Sequence, residues 1–223
     1  MQDTVLLTCG ALKAHIDAAQ ERMGTDYPVV YVDRSYHDRP KEMRLQIIQA
    51  LQELPEEVHT VLVGMAFCGG AWEEIETEKR LVIPRVDDCL TMLLHRDEDP
   101  RPARKETGHL YLLADEAADI FSPMVMYQEY CQQFDADTAR MLLDMYFENY
   151  TTVDVIDTGV GDCRSEECRQ KAEKNAEMIH CGLQYVPGSN QMLEKLLSGQ
   201  WEERLFWVLE PGEVLHSDAL CDL

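Results

Sequence analysis

Short apolar runs alternate with helix-periodic stretches along most of the chain. "TVLLT" (4–8), "PVVYV" (28–32), "HTVLVGMAF" (59–67) and "RLVIP" (80–84) are runs of strand length, most of them rich in β-branched residues. The segments between them read as helices. "GALKAHIDAAQERM" has a 3.6-residue period, and "RPKEMRLQIIQALQEL" carries Pro40 near its start. "AWEEIE" predicts an acidic helix start after the third strand, and "DDCLTMLLH" a helix after the fourth. Residues 95–107 read as a linker or exposed loop. The alternation then resumes. "GHLYLLA" (108–114) is a strand, and the long stretch from Asp115 to Tyr150 predicts two or more helices. "TTVDVID" (151–157) is a strand. "SEECRQKAEKNAEMIHCG" (165–182) predicts a helix capped by Ser165 and Gly182. "LQYVPGS", "NQMLEKLLSG" and "RLFWVLEPG" complete the pattern as strand, helix and strand. Continuous apolar strands separated by helices predict an α/β protein with a parallel sheet covered on both faces, a three-layer Rossmann-like architecture. The pattern divides into an N-terminal half, 1–95, and a C-terminal half, 108–223. These are two similar α/β halves or one compact domain.

Composition narrows the function classes. The chain has 223 residues and is 45% hydrophobic, enough for a substantial core. No apolar run approaches the ~20 residues of a membrane helix, and "MQDTVLLTCG" lacks the basic region of a leader. A cytoplasmic location and no membrane partner are therefore expected. A net charge of −22 argues against a nucleic-acid partner, which needs clustered Lys and Arg. The one basic stretch, "RDEDPRPARK" (96–105), interleaves its cations with acids and prolines and reads as a solvated loop.

Eight cysteines then become the main chemical signal: 9, 68, 89, 131, 163, 168, 181 and 221. In a cytoplasmic chain with a full core, reduced thiols are expected rather than disulfides. Ligands of parallel α/β sheets bind beyond the carboxyl ends of the strands. Those positions hold Cys9-Gly10, then Asp33, Arg34 and His37, then Cys68-Gly69-Gly70, then Arg85, Asp87, Asp88 and Cys89. Three thiols and one imidazole thus fall on four successive strand ends. Cys9, Cys68, Cys89 and His37 make a complete tetrahedral ligand set for zinc or another transition metal. Without His37 one position stays open. Gly69 and Gly70 let the backbone approach a bound group. Arg85 and Asp88 are candidates to orient ligands or hold an anionic substrate, and His37 is also a candidate acid or base. Each thiol taken alone reads equally as a small buried packing residue. There is no local CxxC pair, so only the fold can assemble this site.

Other stretches carry less. "GVGDCRSEEC" (159–168) places Asp162 and Cys163 at another strand end, but it lacks the third glycine of a dinucleotide fingerprint. Glu213 and His216 form a weak pair, "VPGSN" reads as a turn, and Cys131 and Cys181 are expected in helices as core residues. Cys221 is expected in the terminal tail. No GxSxG, Walker or HExxH motif is present.

The series Cys9-Gly10, His37-x-x-Pro40, "VGMAFCGG", "PRVDDC", "LYLLAD" and "YFENYTTVDVIDTG" resembles the domain-of-unknown-function family 1638, over most of residues 5–190. The resemblance supports Cys9, His37, Cys68, Arg85, Asp88 and Cys89 as site positions. It implies a setting beside corrinoid-dependent methyltransferase systems, and so one-carbon metabolism, but no reaction. Three readings follow. The first is a metal-binding protein, with zinc expected before iron or an iron–sulfur cluster. The second is a metal-free enzyme with Cys68 or Cys89 as nucleophile and His37 as base. The third is a non-enzymatic accessory protein for a corrinoid methyltransferase. A corrinoid bound directly lacks its Asp-x-His-x-x-Gly motif here. The expected partner is a small-molecule substrate or a methyltransferase-system protein, and a homo-oligomer is left open.

Overall fold

The computed structural model describes residues 3–37, 39–98, 105–114 and 122–220. The chain divides into two compact units, 1–103 with 189–223, and 104–188. The C-terminal segment thus returns to the first unit, where the halves expected from the pattern grouped it with the second. Residues 99–104 of the expected linker and 115–121 of the expected helical stretch lie outside the described residues.

The first unit is built on a five-stranded sheet in the order β2-β1-β3-β4-β8. Its strands are β1 Thr4–Cys9, β2 Val29–Val32, β3 Thr60–Val63, β4 Arg80–Pro84 and β8 Phe206–Leu209. The first four run parallel and β8 joins β4 antiparallel, with Pro84 opposite Phe206. The sheet is therefore mixed, not wholly parallel as expected. Residues 5–9 of β1, 61–63 of β3 and 81–84 of β4 are buried without alternation, the mark of strands covered on both faces. Helix α1 (Lys13–Met23) leads from β1 to β2, and α2 (Pro40–Gln52) leads back across β1 to β3. Those two crossovers step in opposite directions, so right-handed connection puts α1 and α2 on opposite faces. Pro40 stands in the first turn of α2, which buries Met43, Ile47 and Leu51 at four-residue spacing. Helix α7 (Gln191–Ser198) buries Met192, Leu193, Leu196 and Leu197 and packs on α1, β3 and β4. Asn190 ties it down by donating from Nδ2 to the His15 carbonyl at 2.8 Å.

The second unit has a three-stranded parallel sheet, β5 (His109–Leu113), β6 (Thr152–Asp157) and β7 (Gly182–Pro187), with β6 in the middle. Helices α4 (Pro123–Gln133) and α5 (Ala136–Tyr146) form a hairpin, and α6 (Glu166–Met178) connects β6 to β7. Met126, Leu143, Phe147, Val153, Ala176 and Ile179 are its main core. A carboxylate is buried on the middle strand. Asp154 Oδ2 lies 2.8 Å from His109 Nδ1, and its Oδ1 accepts from Gln184 Nε2 at 2.9 Å. Hydrogen-bonded in this way, the buried carboxyl is satisfied inside the sheet.

Two local expectations fail for physical reasons. "AWEEIE" is not a helix. Glu74 takes a left-handed φ of +54°, its N–H donates to the Leu215 carbonyl, and Trp72 and Ile75 are buried as anchors. Tertiary pairing overrides the helical propensity of the acids here. Helix α6 starts at Ser165 as predicted, but Gly182 does not cap it. His180 takes the left-handed position (φ +56°), and Gly182 opens β7. Among the described residues no helix is long and apolar enough to cross a membrane.

Gly64 follows β3 at the closest approach of chain to core. A Cβ there would stand 2.7 Å from Ile16 Cδ1, 3.0 Å from Leu6 Cδ2 and 3.2 Å from Thr8 Cβ. Gly64→Ala is expected to destabilise the fold by about 1–3 kcal/mol through overpacking. A lower urea midpoint at unchanged slope is the expected readout, and an unchanged or raised midpoint contradicts it.

Candidate functional site

Strand order 2-1-3-4 creates a switch point between β1 and β3, where successive connections leave in opposite directions. In open α/β sheets ligands bind at such a point, beyond the carboxyl ends of the strands. Cys9 is the last residue of β1, and Cys68 stands in the turn after β3. Cys89 begins the short helix α3 (Cys89–Leu94) after β4. All three are buried, at 1%, 6% and 9% exposure.

The turn after β3 is held by backbone bonds that continue beyond the paired strands. Phe67 N–H donates to the Val86 carbonyl at 3.1 Å, and Cys68 N–H to the Asp87 carbonyl at 2.8 Å. Cys68, Gly69 and Gly70 then take φ values of +48°, +65° and +92°. Glycine suits the second and third positions. The first is a conformation a cysteine adopts at a cost of about 1–2 kcal/mol. A Cβ on Gly69 would also come within 3.0 Å of Pro40 Cγ. Arg44, on α2, braces the far side of the turn: its Nη2 donates to the Gly70 carbonyl and to Glu73 Oε2, both at 2.8 Å.

The consequence is contact between sulfurs. Cys68 Sγ and Cys89 Sγ are 3.6 Å apart, and Ala66 N–H points at Cys89 Sγ at 3.5 Å. Asp88 accepts from Thr91 N–H at 2.8 Å as the N-cap of α3, which fixes where Cys89 begins. Cys9 lies within electrostatic reach of both other thiols. Burial pushes its thiol up to about 11, against the opposing pull of the Ala11 N–H and the Arg34 guanidinium. The Cys68 thiol is held well above its ordinary value by its hydrogen bond with Cys89, then by burial, then by electrostatic interaction with Cys89, Cys9 and Asp88.

The other expected residues are placed differently. His37 is half-buried and closes the short 3-10 turn Arg34–Tyr36, its backbone N–H donating to the Arg34 carbonyl at 3.0 Å. Arg85 turns toward β8: Nη1 donates to the Glu203 carbonyl at 3.2 Å, and the guanidinium lies over the Trp207 ring. Its side chain is engaged in holding the antiparallel edge. Gly69 is exposed and Gly70 is buried under Arg44. Among the described residues, no group of three or more His, Cys, Asp or Glu side chains is arranged to hold a metal ion. The expected Cys9, Cys68, Cys89 and His37 set is therefore two touching thiols with a third close by, not a preformed four-ligand shell. Cys163 and Asp162 belong to the second unit, where Cys163 packs with Val155 and Ala172. Cys131 is exposed on α4, and Cys181 follows α6, half-buried, so neither is the helical core residue expected. Cys221 lies outside the described residues. Arg44 went unnoticed in the sequence because its role depends on a partner turn 26 residues away.

Fold and site together define an α/β protein with a buried thiol cluster at the carboxyl edge of a doubly wound sheet. The family described as "Protein of unknown function (DUF1638)" matches residues 31–197, more than half of the chain, and the protein belongs to that family. The match takes in His37, Cys68, Arg85, Asp88 and Cys89 and begins after Cys9. No curated protein and no solved structure matches the chain.

The raised pKa of Cys9 gives a pH dependence with a definite sign. A folded pKa of about 11 against an ordinary 9.0 contributes stability that is present below pH 9.0 and lost as pH rises through about 11. The metal-free protein is expected to lose stability over that window, and Cys9→Ala to flatten the loss. A urea-unfolding series across alkaline pH checks this, and equal slopes for the two proteins contradict it.

Proposed function

We propose that this is a metal-binding protein in which Cys9, Cys68 and Cys89 hold one transition-metal ion, zinc in preference to iron. His37 or a substrate group completes the shell. The observation that carries this reading is the separation of Cys68 and Cys89 Sγ, 3.6 Å. Two thiolates on a tetrahedral zinc, each about 2.3 Å from the ion, stand about 3.8 Å apart. The pair is thus already spaced for a shared ion, and the reading asks for rearrangement mainly at Cys9 and His37.

Electrostatics support the same reading. Cys9 and Cys68 resist ionising in the metal-free protein, and a bound dication would offset that resistance. When bound, the metal would supply Lewis acidity or an activated thiolate. The protein's residues would hold the thiols and exclude water. Of the two candidate nucleophiles, Cys68 and Cys89, Cys68 is less favoured, because the thiolate is the reactive form and its thiol is pushed away from it. An open fourth position would admit a small one-carbon or thiol substrate, consistent with the methyltransferase setting and the cytoplasmic location expected from the sequence. Arg85 and Asp88 act in this reading as structural supports for β8 and α3.

Zinc titration against a chromophoric chelator tests the proposal. The full chain is expected to bind about one equivalent, with affinity rising with pH because each ligand thiol must release its proton. Cys68→Ser and Cys89→Ser should each weaken binding by more than the roughly 10–100-fold typical of an outer-shell loss. Cys131→Ser should leave it unchanged. Stoichiometry far below one, or equal affinity in Cys68→Ser and the parent, contradicts the proposal.

A further inference from the structure

The contact between Cys68 and Cys89 permits a second chemistry that needs no metal. We propose that these two cysteines are a reversible dithiol–disulfide couple, a modification site within the cluster. Their sulfurs lie 3.6 Å apart, so an approach of about 1.5 Å reaches the disulfide bond length. The residues are 21 positions apart in sequence, yet the Cys68 N–H donates to the carbonyl of Asp87, two residues before Cys89. Cys68 holds its position through a left-handed backbone, followed by two glycines that turn the chain away from the pair. Both cysteines lie past the ends of β3 and β4, so closure would act on the turns and not on paired strand residues.

With a hydroperoxide as oxidant the chemistry balances. One thiol takes an oxygen as the peroxide O–O bond breaks, giving a sulfenic acid and releasing water or an alcohol. The second sulfur attacks the first, the S–S bond forms, the S–O bond breaks and water leaves. Two electrons pass from the sulfurs to the peroxide. A dithiol reductant reverses the step by exchange. The bond itself rests on the sulfur contact alone. Its regulatory consequence rests on the metal reading: a disulfide removes two of three proposed ligands, so oxidation and metal occupancy exclude one another.

The test uses the full chain, stripped with a chelator and treated with limiting hydrogen peroxide before alkylation and tryptic mapping. Lys79, Arg80 and Arg85 lie between the two cysteines, so trypsin separates them unless they are bonded. The expected product has lost two hydrogens in mass, yields a Cys68–Cys89 cross-linked peptide, and loses that peptide after dithiothreitol. Recovery of both cysteines alkylated, their irreversible oxidation to sulfinic acid, or a bond to a different partner overturns the proposal. A cross-link in a protein that fails to bind zinc when reduced would remove the metal reading and leave the disulfide standing. Zinc binding without any cross-link would do the reverse.

Discussion

Two backbone hydrogen bonds, made just past the carboxyl ends of β3 and β4, bring the sulfurs together. Phe67 to Val86 and Cys68 to Asp87 splice one strand-end turn onto the next. Without them the CGG turn and the start of α3 would be independent loops. With them, Cys68 and Cys89 meet at 3.6 Å, and the strand order brings Cys9 to the same edge. The left-handed run at Cys68–Gly70 is the local cost of this arrangement, and Arg44 secures it from α2. Local strain held by surrounding structure commonly marks a functional turn.

Once gathered, the thiols change each other's chemistry. Burial, and for Cys68 the contact with Cys89, favours the neutral forms of Cys9 and Cys68. In the proposed readings two events would relieve the crowding: a cation that binds the thiolates together, or a bond that consumes two of them. Both use the same pair of sulfurs. A site of this kind acts through what binds it, and its neighbours are employed mostly in holding the framework. Arg85 illustrates the division, since its charge is spent on the β8 edge and not on the cluster.

The α/β class and most of the elements were legible in the pattern, because continuous burial in β1, β3 and β4 leaves apolar runs that local sequence cannot disguise. That Cys68 and Cys89 stand on one edge follows for the same reason: strand ends in a parallel sheet share an edge. What could not be read were long-range choices. The antiparallel return of β8 depends on pairing across more than a hundred residues, and the non-helical path of "AWEEIE" depends on Leu215. The role of Arg85 follows from β8 and was hidden with it. Gly182 looked like a cap because glycine usually fills that position, yet His180 takes the left-handed conformation instead.

The central claim is that sulfurs distant in the chain form one ligand set. X-ray absorption at the zinc edge, on the zinc-loaded full chain, measures this most directly. The account predicts three sulfur neighbours at about 2.3 Å with a single lighter ligand. A first shell made only of nitrogen and oxygen, unchanged in Cys68→Ser, would contradict it.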